Sequence, residues 1–364
     1  MTDNPSRTIL VVQPGPMTLV QDRGRFGFQQ LGVSVSGAVD IDALDTANLL
    51  VGNDSNAACL EVMLGGLEIE FSNAVVIAVT GAESDLTIDD VPISLGVSYF
   101  VHAGARLELG LVNNGLRAYI AVGGGIEIAP VLGSLSTHLA SGIGGVDGRA
   151  LITGDVIYLG QSSDAVASGL LLEDDSPTSS GSEINVRIVL GPQDDEFSDS
   201  GIASLLNSTY TVSDQSNRQG LRLDGPVIES KSGRYDIVSD AVVNGSIQVP
   251  GDGKPIILLA DRQTTGGYAK IATVATVDLP RLGQAGPGTK ITFSAITIEE
   301  SQELLAVRSE RFNPKNLVSI VEKISLKVDG DDIVVGVADN GSSALAAVEG
   351  NTYPVSVEEY TPAG

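Results

Sequence analysis

Short stretches in which apolar and polar residues alternate recur along the whole chain, and they limit its fold more than any other feature. LEIEF at 67–71, RLELGL at 106–111, NVRIVL at 185–190, KITF at 290–293 and ISLKV at 324–328 each place their apolar side chains on one face. Period-two patterning bounded by Gly, Asp and Asn predicts half-buried strands. AVVIAV at 74–79 and PIILLA at 255–260 are apolar throughout and predict fully buried strands. Helical patterns are few. IDALDTANLLV, 41–51, has Asp40 to cap its start and Gly52 to stop it, with Ala43, Leu44, Ala47, Leu50 and Val51 on one face. SGIASLLNS, 200–208, and EESQELLAVRSER, 299–311, predict two further helices. The expected class is mainly β with a few helices (α+β).

A chain of 364 residues is long enough for two cores. The break between them is expected in QSSDAVASGLLLEDDSPTSSGSE, 161–183, which has no Lys or Arg and is rich in Ser, Asp and Gly. Such a segment buries little and is expected to be an exposed, mobile acidic linker. It separates an N-terminal β-rich domain, 8–160, from a C-terminal β domain, 184–298. A helix and strand extension, 299–364, follows and closes in a hairpin or a ragged tail. No apolar run reaches the ~18 residues of a membrane span, and MTDNPSRTILVVQPG lacks a signal pattern, so a cytoplasmic protein is expected. Cys59 stands alone, which excludes an internal disulfide; its setting, AACLEVML, reads as core.

Charge excludes further classes. A net charge of −25 repels phosphate backbones and anionic membranes, so neither nucleic acid nor a membrane is an expected partner. The bases are unevenly chosen: the first 300 residues hold twelve Arg and four Lys. Arginine suits fixed, planar recognition of carboxylate or phosphate, although pairing with the many acids would explain each one equally well. His102 reads as a strand residue, which leaves His138, in GSLSTHLASGIGG, as the better functional histidine. Too few His and Cys are present for a metal site built on them. GDGKP and GPGTK do not fit a P-loop, and the chain has no Met-Lys pair to carry biotin itself.

Four polar, glycine-rich blocks remain. The first, GPMTLVQDRGRFGFQQLGVSVSGAVD at 15–40, turns at Gly24 and gathers Gln21, Asp22, Arg23 and Arg25, either as a ligand surface or as a salt-bridged turn. Glu61, an isolated acid in an apolar setting downstream, calls for a partner, and arginine is the natural one. The second block, 117–155, contains Arg149; its glycines allow anion-binding nests or plain hairpin turns. The third, VSDQSNRQGLRLDG at 212–225, contributes Arg218 and Arg222. The fourth follows the buried strand IILLA, a rigid element able to hold functional groups in place. There Gln248, Asp261, Arg262, Thr264, Thr265 and Tyr268, with the pliable Gly266 and Gly267, could satisfy every edge of an amide.

TLVQDRGRFGFQQLGV, SGAVD, ANLLVGN, GSIQVPGDGKPIILLADRQTTGGY and IATVATVDLPRLGQAGPG together resemble the biotin-dependent carboxyltransferase / allophanate-hydrolase-subunit-2 family, from about Ile9 to Phe293. Stand-alone members of that family include the sporulation regulator KipA and the C subunit of 5-oxoprolinase. The resemblance implies two cyclophilin-like β-barrel domains. It also implies a B-type partner (KipI-like, of allophanate hydrolase subunit 1 type), an A-type partner (LamB/YcsF type), and ATP with magnesium acting through the complex. The expected activity is that of a C-type component of an ATP-dependent 5-oxoprolinase, a hydrolase that opens a lactam. The alternatives are carboxyl transfer from a separate biotin carrier to urea or a similar amide, and a non-catalytic KipA-like role. Carried over by position, Gln21, Asp22, Arg25, Asp40, Asn48, Asn53 and Glu61 match the family pattern, as do Gln248, Pro250, Asp261, Thr265, Gly266, Gly267, Tyr268, Asp278 and Gln284. Leu135 stands where an arginine is expected, and Asn217 and Gln219 depart from the pattern around Arg218. Asp22, Arg25, Asp261 and Tyr268 are the expected catalytic residues. Gln21, Arg23, Arg149, Arg218, Gln248, Arg262, Thr264, Thr265, Gly266 and Gly267 are expected to bind substrate or nucleotide.

Overall fold

The computed structural model describes residues 7–161, 168–173 and 182–319, together with the strand backbones 322–328, 331–339, 344–348 and 351–355. Two β units meet along a seam. The first is a nine-stranded sheet whose main path runs Met17–Gln21, Cys59–Met63, Arg106–Val122, Gly65–Phe71, Thr8–Pro14 and Val156–Tyr158. Alternation does what the sequence says it should: Gly65–Phe71 buries every second residue. RLELGL proves to be only the start of a strand that runs to Val122, and AVVIAV the start of one that runs to Ile88. The polar stretches that look like breaks are taken up by register shifts between Gly81 and Leu86, which let the two long strands stay paired.

The second unit is a closed barrel, ordered Glu183–Leu190, Lys270–Val274, Ser246–Gln248, Ile256–Leu258, Gly220–Asp224, Tyr210–Val212 and Lys290–Ala295. Parallel pairing of Glu183–Leu190 with Lys290–Ala295 closes it. Among the described residues the fold is thus mostly β with four helices, in keeping with the expected class, and of these two sheets the second closes while the first remains a half-barrel.

The helices α1 (Ile41–Leu50), α2 (Asp199–Asn207), α3 (Leu279–Gly283) and α4 (Ile298–Arg311) sit at the margins. Asp40 caps α1 by accepting the amide of Ala43, and the capping box of Thr297 and Glu300 starts α4. The α4 residue Arg308 reaches back to Asp42 and Asp45 of α1, seating the extension on the first unit. The last strands form a four-stranded antiparallel meander, of which the expected hairpin is the final pair, Ala344–Val348 with Asn351–Val355. Residues 356–364, part of the expected tail, lie outside the described residues.

The acidic segment 161–183 departs from expectation where it is described. Leu170–Leu172 forms a strand paired with Leu317–Ser319, and Leu172 is fully buried. Three consecutive leucines supply enough apolar surface to draw this stretch inward despite its polar flanks. Residues 162–167 and 174–181, where exposure was also expected, lie outside the described residues. Among the described residues no helix is long and apolar enough to cross a membrane. Cys59 is buried in the small core beneath α1, and burial pushes its thiol up, as a structural cysteine requires.

Candidate functional site

The seam places a dense polar cluster between two apolar cores. The chain leaves the strand Met17–Gln21, turns at Gly24 and runs along the barrel to Asp40, with Val39 packed into the barrel's own core. Gly24 holds φ +100, and a Cβ there would lie 2.8 Å from the carbonyl oxygen of Ser36, so only glycine fits the turn. Ser36 itself adopts φ +57, in the left-handed region. That conformation aims its hydroxyl across the seam, where its single proton faces two acceptors, Asp261 Oδ1 at 2.7 Å and the carbonyl of Thr137 at 3.0 Å.

Arg218, just before the barrel strand Gly220–Asp224, is the hub. Its Nε donates to Asp261 Oδ2 at 2.9 Å and its Nη2 to the carbonyl of Gly37 at 2.6 Å and to Asp261 Oδ1 at 3.1 Å. Its Nη1 binds Glu61 Oε1. Burial alone would lower the Arg218 guanidinium, but Glu61 and Asp261 outweigh it and raise its pKa. Glu61 thus has the arginine partner its apolar setting demanded, and a second one: Arg117 Nε lies 3.7 Å from Glu61 Oε1. The remaining Glu61 oxygen accepts from the Tyr119 hydroxyl at 2.6 Å and from the amide of Val39 at 3.2 Å. Arg117 also donates to the carbonyl of Gly283 in the barrel unit; burial lowers its guanidinium and Glu61 opposes that shift.

Gln284, just after α3, completes the cross-seam wiring. Its Oε1 accepts the amides of Leu116 and Arg117, both at 2.9 Å, and its Nε2 donates to Asp40 Oδ2 at 2.6 Å. Burial raises the Asp40 carboxyl to about 7, against the opposing hydrogen bonds from Ala43 and Gln284.

A cleft of about 510 Å³ opens onto this cluster. Arg117, Arg218 and Asp261 form its polar floor, with Ser216, Asn217 and Gln219 alongside. Its remaining walls are apolar and come from both units: Met17, Met63, Leu64, Leu116 and Leu139 from the first, Leu221, Ala285 and Pro287 from the second. Leu64 holds φ +66, a costly backbone for a branched side chain and one that fixes it at the cleft.

Of the expected site residues, Arg218 and Asp261 line this cleft. Asp22 and Arg25 sit behind it, bound into the loop 131–145. Asp22 accepts from the amides of Gly24 (2.7 Å) and Leu135 (2.6 Å) and from the hydroxyls of Ser134 (2.7 Å) and Ser136. Arg25 is buried and donates to the carbonyl of Ser136; burial lowers it, with Asp22 and Asp261 acting the other way. Gln21 is buried and donates to the carbonyl of Thr137 at 2.9 Å. His138, in the same loop, is buried and does not line the cleft. Arg23 faces Asp45 and the carbonyl of Ser55, and Arg149 is held in its own turn by both oxygens of Asp155, at 2.8 and 2.9 Å; neither lines the cleft.

The segment after IILLA divides. Asp261 enters the cleft and Arg262 is buried against the carbonyl of Leu259, while the chain beyond turns away. Thr265–Tyr268 pairs with Asp236–Ala241 as an outer two-stranded ribbon, and Thr264 supports it through its carbonyl. Gln248 serves this ribbon: its Nε2 donates to the carbonyl of Tyr268 at 3.4 Å, and its Oε1 accepts from Gln263 at 3.2 Å. A Cβ at Gly266 would lie 2.3 Å from Gln248 Nε2, so a side chain there would have to displace the end of Gln248. Gly267 lies in the same strand, and Tyr268 is exposed. Of the residues expected to satisfy the edges of an amide, Asp261 therefore lines the cleft, and Gln248 and Tyr268 do not. Arg117 and Tyr119 escaped the sequence reading. Their signal was there, a lone base in the apolar run RAYIAV, the counterpart of Glu61 in CLEVML.

Similarity to known proteins bears on what such a cleft does. Residues 31–295 match a family described as the carboxyltransferase domain, subdomain A and B. The chain is 40% identical over 296 residues to the C subunit of 5-oxoprolinase from Escherichia coli, covering 80% of this chain and 92% of that protein. It is 33% identical over 316 residues to the urea amidolyase of Lachancea kluyveri, covering 81% of this chain but 17% of that protein. The crystal structure of the K. lactis urea amidolyase superposes with a TM-score of 0.78 at 27% identity, covering 95% of this chain and 23% of that one.

Proposed function

Because the chain belongs to the carboxyltransferase-domain family, subdomains A and B, we propose that it is the C-type component of an ATP-dependent 5-oxoprolinase. In this reading it acts with a B-type and an A-type partner to prepare the lactam of 5-oxoproline for hydrolysis to glutamate. The observation that carries this reading is the match to 92% of the Escherichia coli 5-oxoprolinase component, a relative of the same extent rather than a much larger enzyme. The cleft suits the substrate. Its apolar walls can pack on the methylene groups of a five-membered lactam, and Asp261, held by Arg218 and Ser36, can accept the ring N–H.

Opening a lactam requires amide resonance to be broken, and ATP would supply a phosphoryl group to the amide oxygen for that purpose. The cleft itself is a poor fit for a triphosphate: the guanidinium charges of Arg117 and Arg218 already face Glu61 and Asp261. The nucleotide is therefore assigned to the assembled complex, in the cytoplasm where ATP is available. What this chain does is bind the ring, hold its N–H on a fixed carboxylate and keep water from the apolar side of the cleft.

The test is reconstitution with purified A-type and B-type partners. ADP release and glutamate formation should both depend on 5-oxoproline; ADP release indifferent to 5-oxoproline would overturn the reading. Carboxyl transfer to a urea-like amide from a separate biotin carrier is the second reading, favoured by the family description and the urea amidolyase match. Urea has no C–H group to set against Met63, Leu64 and Leu116, so this cleft favours the lactam. A product that depends on carboxybiotin would reverse that preference.

A further inference from the structure

We infer, resting on the lactam reading above, that this chain recognises only the neutral part of its substrate, the ring and its N–H. The substrate's carboxylate is then left to a cationic group that a partner protein supplies. The charge arrangement of the cleft is the reason. Arg218 spends its guanidinium on Asp261, Glu61 and the carbonyl of Gly37. Arg117 donates through Nη1 to the carbonyl of Gly283, and its Nε, which has no hydrogen-bond partner among the described residues, lies 3.7 Å from the same Glu61. Two buried cations thus meet two buried carboxylates, so the local charge is already balanced and a third carboxylate would enter it uncompensated.

Among the described residues, nothing else lining the cleft offers a positive charge. Ser216, Asn217 and Gln219 are neutral, and the walls are apolar. Arg25, a further cation that acts on Asp261, is buried behind the loop 131–145 and does not line the cleft. The chain as a whole carries −25, so its long-range field also opposes an entering anion. A neutral lactam meets none of these costs. Asp261 Oδ2 accepts from Arg218 Nε at 2.9 Å, and a carboxylate oxygen has a second lone pair with which to take a ring N–H.

Binding of 5-oxoproline and of 2-pyrrolidinone, the same ring without the carboxylate, to the isolated full chain tests this by ligand-observed NMR. The two affinities should agree within about threefold, and Asp261→Asn should weaken both alike. Gln219→Arg places a cation beside the cleft without disturbing the buried cluster, and should tighten 5-oxoproline alone. A preference of about tenfold or more for 5-oxoproline in the unmodified chain overturns the inference, and so does failure of either lactam to bind. The reconstituted complex should in contrast prefer 5-oxoproline by about tenfold or more; equal use of both lactams there would remove the role given to the partner. If the isolated chain binds both lactams equally but the complex releases no ADP in response to 5-oxoproline, the proposed function fails while recognition of a neutral lactam stands.

Discussion

The seam between the two β units and the turn around residues 146–155 use the same ingredients, an arginine among glycines facing carboxylates, to opposite ends. At the turn, Arg149 and Asp155 are six residues apart and close to solvent, and their pairing tidies a local bend. At the seam, Arg218 meets a carboxylate 157 residues away, in the other unit, and both are almost wholly buried. The same ion pair is worth little where solvent screens it and becomes a structural commitment where neither charge can be left alone. What separates a binding-site arginine from a decorative one is therefore the origin and burial of its partner, not its glycine-rich neighbourhood.

Substitutions can break or sharpen this contrast. The largest effect is expected from Glu61→Ala, which takes from Arg117 its ion-pair carboxylate in the seam and from Arg218 one of the two that it faces; loss of one member of such a buried cluster costs about 3–5 kcal/mol, read from urea unfolding. If Glu61→Ala shifted the midpoint no more than a surface change does, the seam would be no different from the turn. Asp22→Ala comes next, because it removes the acceptor for two amides and two hydroxyls that shape the loop 131–145. About 2–3 kcal/mol is expected, with slower proteolysis of the parent chain within that loop as the confirming measurement.

The two regions should also answer pH with opposite signs. Asp40, raised to about 7 by burial, holds more protons folded than unfolded between its ordinary 3.8 and about 7. Its contribution to stability is full below about 3.8 and is lost as pH rises to about 7. Asp155 is lowered, first by its hydrogen bond to Arg149, so its contribution is present above its ordinary 3.8 and lost as pH falls. Asp40→Asn should flatten the slope between about pH 4 and about 7, although its amide would confront the Nε2 of Gln284 and lower stability overall. Asp155→Asn should change only the acid limb. The smallest effect belongs to Arg149→Ala, for which an unfolding midpoint indistinguishable from the parent is expected.

Much of this was legible in the sequence, and the reasons differ from element to element. Asp40, the cap read from the sequence, starts α1, while Ser198 on α2 and Thr297 with Glu300 on α4 do the same work without having been picked out. Strand positions were legible because one face of each is buried, while strand lengths were not, since bulges carry Val75–Ile88 and Arg106–Val122 through polar stretches that look like turns. Within the site, Glu61 announced a buried partner by its setting alone. Which arginine answers it could not be read off, because Arg218 and Arg117 reach Glu61 only once the strands and units that carry them are assembled. The ribbon Thr265–Tyr268 misled for a related reason: its polar residues satisfy a neighbouring strand, and sequence spacing carries no record of which way a chain turns after a buried strand.

Ser36, Arg218 and Gln284 each begin in one unit and end in the other. Swinging the units apart would strip several buried groups of their partners at once, so the gap between them is bolted to a fixed width. Molecules must then come and go through a doorway rather than a hinge, past the side chains of Leu64 and Leu139, which are both partly in solvent. With the frame held in this way, the opening of the cleft can change only through the side chains at its sill.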